Sequence, residues 1–387
     1  MSVAALWRTS THMSRLLPLV LVILSVAAPV RGQAGVPPDA DRLMARGIEL
    51  HQAGDILGAI DAYKAVLAMA PARADALSNL GAAYVRLGQY DEAIKQYEAA
   101  LQSDALNNAV RLNLALAFYK SARPNDAIPQ LKRVISSDPE AKNAYLILAD
   151  CYLQTGQEKE LVSLLKPREQ MFGGDLSFAY LLGTALLRQD DVVGGQEYVS
   201  RVFGAGESAE AHLLLGIAQF GQHDYRAAKT ELETALKLNP KLPTANAIYG
   251  RTLMLLGEPD ASERAYRREL EFNPNDFEAN LQLGNLRKSA QRFAEAGTYL
   301  ERATMVRPND LAARRLLGSL RLQTGNTEEA LAILESVAKE APDAVEVHVQ
   351  LATAYNRLKR KDDADRERAI VDRLNAEAAA KQKGGSL

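Results

Sequence analysis

The sequence predicts an all-α fold of about ten stacked helix pairs, and three ladders of residues at one spacing predict it. A small residue recurs every 34 positions, at Gly47, Gly81, Ala115, Ala149 and Gly183. One residue is then lost, and the beat resumes at Gly216, Gly250, Gly284, Gly318 and Ala352. A proline keeps the same time at Pro71, Pro139, Pro240, Pro274, Pro308 and Pro342. A second small position follows at Ala59, Ala93, Ala127, Ala228, Ala296, Ala330 and Ala364. Three interleaved ladders at one period are the mark of a repeat array.

The stretch from Ala74 to Asn107 shows what one repeat contains. Leu77, Leu80, Gly81 and Tyr84 stand at helical spacing, and Tyr90, Ala93, Ile94, Tyr97, Ala100 and Leu101 do so again. Gly88 lies between the two runs, where a helix stop is expected. Two helices of one repeat must approach closely, so small residues belong at their contact. Bulkier residues such as Tyr63, Tyr97, Leu131, Leu232, Tyr266 and Leu300 are expected to fill the space toward the next repeat. Proline lacks an amide donor and ends the second helix. A lone pair cannot bury its apolar face, so stacking must complete the core.

The leucine-glycine-tyrosine and alanine-tyrosine-alanine order resembles the tetratricopeptide repeat, whose period is 34 residues. The resemblance covers about residues 40 to 378. It implies a right-handed α-α superhelical solenoid whose first helices line a concave face that binds peptides.

The register is weakest in repeats four and five. The second helix of repeat four, EKELVSLLKPREQMFGG, lacks the small alanine and carries Pro167. Repeat five has Gly194 and Gly195 in its second helix, each costing about 1 kcal/mol relative to alanine. An irregular joint is expected from about Lys166 to Gly206. In repeat ten the charged helix DDADRERAIVDRLNAEAAAKQ reads as a polar cap, with a frayed tail over 379–387.

The first 34 residues differ in kind. They hold Arg8, Arg15 and Arg31, no acidic residue, and the apolar run Leu16 to Val30. Small residues at Gly32 and Ala34, with Ser25 and Ala27 as another site, complete the layout of a secretory signal peptide, and the linker 35–39 leads into the array. Export to the periplasm or beyond is therefore expected, with an uncleaved inner-membrane anchor as the alternative. Cleavage removes the single tryptophan, Trp7, and moves the net charge from −2 to −5. That balance argues against a nucleic-acid binder or a polybasic membrane-surface protein. Membrane contact is expected only through an uncleaved leader. One cysteine, Cys151, permits no internal disulfide.

No catalytic motif is present: no GxxxxGK[ST], HExxH or GxSxG. The closest two histidines of the array, His212 and His223, are about 16 Å apart along a helix, too far to share a metal. Cys151 reads as a buried inert thiol. Acidic pairs such as Asp190–Asp191 and Asp362–Asp363 stand at helix starts, where they favour the dipole. No enzyme activity, cofactor or metal is expected.

Surface remains. The resemblance implies that four positions of each first helix point inward. In repeats three to seven these hold Leu112, Leu116 and Tyr119; Leu146, Asp150 and Leu153; Tyr180, Thr184 and Leu187; Leu213, Ile217 and Phe220; and Arg251 and Met254. The ends are more polar, with Asp75, Ser78 and Ala82, then Glu278, Asn285 and Lys288, then Glu346 and Asn356. An apolar middle with polar ends marks an interaction site, unless these residues are core. The lysine-asparagine clamp of chaperone adaptors is missing, since Ser78, Ala82, Leu112 and Leu116 stand there. The asparagine ladder of sugar-transferase superhelices survives only as Asn79 and Asn113. The expected function is a protein- or peptide-binding scaffold of the bacterial cell envelope. The alternative is a structural subunit of a secretion, pilus or polysaccharide-export assembly, docked by its convex face or ends.

Overall fold

The computed structural model describes residues 38–384, which form 21 α-helices and one 3-10 turn, with no strand among the described residues. The leader lies outside them. Contacts divide the chain into two compact units, residues 1–240 and 241–387.

In the first unit the helices run in antiparallel pairs: α1 (Pro38–Ala53) with α2 (Ile56–Met69), α3 (Ala74–Arg86) with α4 (Tyr90–Ser103), and α5 (Asn108–Lys120) with α6 (Pro124–Ser137). Next come α7 (Lys142–Gln154) with α8 (Glu158–Leu165), a 3-10 turn at Lys166–Arg168 and the short α9 (Glu169–Phe172). The pairs α10 (Leu176–Arg188) with α11 (Val192–Gly204) and α12 (Ala209–Gly221) with α13 (Tyr225–Leu238) complete it. The second unit holds four pairs: α14 (Ala245–Leu255) and α15 (Pro259–Phe272), α16 (Phe277–Ser289) and α17 (Phe293–Val306), α18 (Leu311–Gln323) and α19 (Thr327–Glu340), α20 (Val345–Arg357) and α21 (Lys361–Gly384).

Each pair is closed by the small-residue ladder. The seven alanines of the second ladder are fully buried. The large residue sixteen positions after a ladder glycine does not reach toward the next repeat, as the sequence suggested, but lies across the glycine of its own repeat. A Cβ on Gly47 would stand 2.6 Å from the Tyr63 ring, one on Gly81 2.8 Å from Tyr97, and one on Gly250 2.9 Å from Tyr266. Leu232, Leu300 and Leu334 crowd Gly216, Gly284 and Gly318 in the same way. At Ala115 and Ala149 the residue sixteen on is Leu131 or Leu165, both fully buried, whereas at Ala352 in the last repeat it is the exposed Arg368. Tyrosine thus occurs here only against glycine, while leucine accompanies either glycine or alanine. In repeat seven the second small position is Ser262, whose hydroxyl donates to the Gly250 carbonyl at 2.6 Å.

The turn inside each pair uses one residue with positive φ, seven places after the small residue. Gly54, Gly88, Gly156, Gly257 and Gly325 fill it in five repeats. Ala122, Asp190, His223, Gln291 and Lys359 fill it in the others at φ of 56 to 63°, at a cost of roughly 1–2 kcal/mol each. The turn is therefore set by the two packed helices and only made easier by glycine.

Repeats four and five are where the packing changes. Pro167 cannot continue the α8 ladder, and the chain breaks into the 3-10 turn and α9 before Leu176. The residue lost from the period is missing from α11 itself, which has 13 residues where α4, α6 and α13 each have 14. Tyr198 then takes the place against Gly183, its Cβ 2.8 Å from where a side chain there would begin. Gly195 is required because a Cβ would fall 2.5 Å from Leu187 Cγ.

In the second unit a buried glutamate carboxyl holds a helix start. Thr244 precedes α14 with φ 64° and offers no side-chain cap. Glu269 of α15 replaces it, accepting the backbone amides of Thr244 at 2.8 Å and Asn246 at 3.2 Å. Burial and the nearby Asp276 push its carboxyl up to about 8, against the pull of those amides.

Two expectations follow from this packing. Gly81→Ala trades a helix-propensity gain of about 1 kcal/mol for overpacking of about 1–3 kcal/mol against the immobile Tyr97 ring, so urea unfolding followed by circular dichroism should shift to lower denaturant. Adding Tyr97→Leu should make the double variant more stable than the two single losses sum to. For Glu269, a folded carboxyl titrating above its unfolded value of 4.5 means that the folded chain holds the extra proton between those values. Its contribution is complete below pH 4.5 and is lost as pH rises through about 8. Thermal unfolding of the native chain should therefore weaken from pH 6 to 8.5 relative to Glu269→Gln, by up to about 1.4 kcal/mol per pH unit.

Candidate functional site

The residues expected on the inner face separate into two groups. On α5, Leu112, Leu116 and Tyr119 stand at i, i+4 and i+7, and all three are half-buried with part of their surface open. The Tyr119 hydroxyl donates to Asp150 Oδ2 on α7 at 2.6 Å, and Gln154 Nε2 donates to the same oxygen at 2.6 Å. Burial raises the Asp150 carboxyl above its ordinary range, opposed by these two bonds and by the charge of Arg188. Burial and the Asp150 charge push the Tyr119 hydroxyl well above its ordinary value. The α5 stripe therefore ends in a fixed polar group rather than a mobile one.

Farther along the same unit the expectation of an open apolar face is corrected. Leu146, Leu153, Leu187, Leu213 and Ile217 are buried, none more than 6 % exposed. The reason is that α10 packs against both α7 and α12, a contact between first helices far more extensive than that between α3 and α5. Leucines that would line a groove between well-separated helices become core when those helices meet. Tyr180 and Phe220 keep partial exposure, the latter with its ring 5.4 Å from Tyr225. In the second unit Met254 is half-buried on α14, beside the exposed Arg251.

A polar ladder escaped the sequence reading. Four positions before the small residue stand Arg111, His212, Asn246, Asn280, Arg314 and His348, most of them buried. His212 Nδ1 lies 2.6 Å from Glu231 Oε2, and His348 Nδ1 2.6 Å from Glu367 Oε2. His348 Nε2 is 3.0 Å from the Pro342 carbonyl oxygen, and Asn280 Nδ2 donates to the Pro274 carbonyl at 2.9 Å. Arg111, Asn280, Arg314 and His348 thereby satisfy a carbonyl of the turn that precedes their first helix. The signal was available, because the six share one register; they differ in residue type, which hid it.

Chemistry elsewhere is structural. Cys151 is fully buried, and burial pushes its thiol well up, away from the reactive thiolate. Asp191 caps α11 through the Gly194 amide at 2.9 Å. Among the described residues no group of His, Cys, Asp and Glu is placed to hold a metal ion, and no helix is long and apolar enough to cross a membrane.

The tetratricopeptide repeat family model matches residues 44–108, 112–160, 213–277 and 281–345, and a second tetratricopeptide repeat model matches 321–381. Residues 161–212, which neither covers, are the stretch in which α8 breaks and α11 loses a residue. No curated protein matches the sequence. Among solved structures the chain is similar to the crystal structure of the APC/C hetero-tetramer Cut9-Hcn1, with a TM-score of 0.51, 12% identity and 88% of each chain covered. That likeness concerns the fold. Repeats of this kind support a protein–protein interaction scaffold and are generally non-catalytic. By its ladders, its helix pairs and the family match over most of its length, the chain belongs to the tetratricopeptide repeat family.

Proposed function

We propose that this chain is a non-catalytic scaffold of the bacterial cell envelope that captures a peptide or helical segment of a partner protein on the inner face of its first helices. The observation that carries the reading is the α5 stripe, where Leu112, Leu116 and Tyr119 keep apolar surface in contact with water at helical spacing. Such a stripe receives the i, i+4, i+7 anchors of an amphipathic helix or the alternate side chains of an extended segment. Tyr119, fixed by Asp150, supplies a rigid aromatic anchor of the kind that dominates binding energy. Tyr180 and Phe220 extend the accessible set within the first unit, and Met254 belongs to the second. The envelope assignment rests on the arginine-bearing, acid-free leader and its apolar run.

Residues 35–387, intact or carrying Leu112→Glu with Leu116→Glu, should be used as bait against the native envelope fraction. Both leucines are half-buried with part of their surface open, so the new carboxylates can reach water and helicity should survive. The expected outcome is a partner captured by the intact chain and lost, by at least about tenfold, with the double change. A partner held equally by both would instead place docking on the convex face or the ends, as in a subunit of an export assembly. N-terminal sequencing of the protein from the envelope should read from Gly35; retention of Met1 would mark an uncleaved anchor.

A further inference from the structure

A pocket of about 540 Å³ lies away from the inner face, where the turn between α4 and α5 meets the second helix α6. Leu106, Asn108, Arg111, Lys132, Arg133 and Ser136 line it. This is the junction at which the proline ladder is interrupted, with Ala105 in its place, and Leu106 beside it is 88 % exposed.

Its charge is unbalanced, in contrast to the matching positions of repeats six, nine and ten. Arg111 is only 8 % exposed, yet its guanidinium donates to neutral acceptors alone: Gln130 Oε1 at 3.1 Å and the Ala105 carbonyl. In repeats six and ten the residues in the register of Gln130 are Glu231 and Glu367, each facing the histidine of its repeat. Arg314, the arginine in the register of Arg111 in repeat nine, is held by both oxygens of Glu340 at 2.9 Å. Repeat three thus keeps the buried cation but has Gln130 where repeats six and ten have glutamate, and Ser137 where repeat nine has Glu340. Lys132 and Arg133 continue the pattern. Their counterparts in repeat seven, Arg267 and Arg268, pair with Glu263 and Glu271. Among the described residues neither Lys132 nor Arg133 forms an ion pair, and the Lys132 ammonium sits 5.6 Å from the Tyr152 ring centroid. No acidic residue lines the pocket. A largely buried cation without a counter-charge is costly unless an anion completes it.

We propose that this pocket binds an acidic segment of a partner protein, its carboxylates meeting Arg111, Lys132 and Arg133 and an apolar side chain covering Leu106. Arginine forks match carboxylate geometry, and the volume suits a few side chains. Its exposed cations Lys132 and Arg133 stand on α6, whereas the stripe residues Leu112, Leu116 and Tyr119, none of which lines the pocket, stand on α5.

The test uses residues 35–387 and a short fluorescein-labelled peptide of alternating glutamate and leucine, followed by anisotropy. Binding should weaken as salt rises and fall at least about tenfold for the glutamine-leucine counterpart. Lys132→Glu with Arg133→Glu should abolish it with circular dichroism unchanged, since both side chains are exposed, and Leu106→Ser should weaken it several-fold. Leu112→Glu with Leu116→Glu should leave it unaltered. The proposal is overturned if the glutamate peptide does not bind, if the glutamine peptide or the charge-reversed chain binds as well, or if the inner-face variant loses it. Displacement by inorganic phosphate as effective as by unlabelled peptide would also overturn it, making the pocket a small-anion site.

Discussion

The seven repeats with a ladder glycine depend on one contact, the seating of a large side chain from the second helix on that glycine of the first. Tyr63 on Gly47, Tyr97 on Gly81 and Tyr266 on Gly250 bring two helices together at a distance that no Cβ would allow. The fully buried alanine row of the second helix lets the backbones meet from the other side. Because the ring or isobutyl group fills the space in its own repeat, each pair is a preformed block, and stacking adds block to block. The positive-φ turn is a consequence of this contact. Five non-glycine residues adopt it, as they would if the helices dictated the geometry and the turn complied.

The same contact explains why the centre of the first unit behaves differently. In repeat five the shortened α11 puts Tyr198 rather than its neighbour against Gly183, and Leu187 is folded down onto Gly195. In repeat four Pro167 ends α8 early. With second helices that are broken or short, the first helices α7, α10 and α12 close on one another and use their apolar faces as core. Burial of those leucines contributes roughly 1.5–3 kcal/mol each. Surface that could have bound a partner is thereby committed to holding the array together through its irregular stretch.

Charge is distributed by the same logic of local closure. In six repeats a polar residue stands four places before the small residue, and its cations and histidines meet carboxylates in repeats six, nine and ten. Repeat three departs from this, with Gln130 in place of an acid and with Ala105 in place of a proline. Two departures at one junction leave three cations around a pocket with no acidic residue in its lining, although Arg111 still ties α5 to the preceding turn through the Ala105 carbonyl.

Period, helix pairing and the identity of the buried small residues were set by the sequence alone, because glycine, alanine and proline act through local sterics that spacing reveals. The register even showed where one residue is lost, though only the helices place that loss within α11. The accessible face was decided by tertiary structure. Leu116 and Ile217 hold the same position in their repeats, yet one keeps open surface and the other is core, because exposure depends on how closely neighbouring first helices approach. Likewise Arg111 and Arg314 share a register, and only the fold shows that one meets a carboxylate and the other an amide. Spacing within a chain fixes which residues share a face; the distance between elements fixes whether that face sees water.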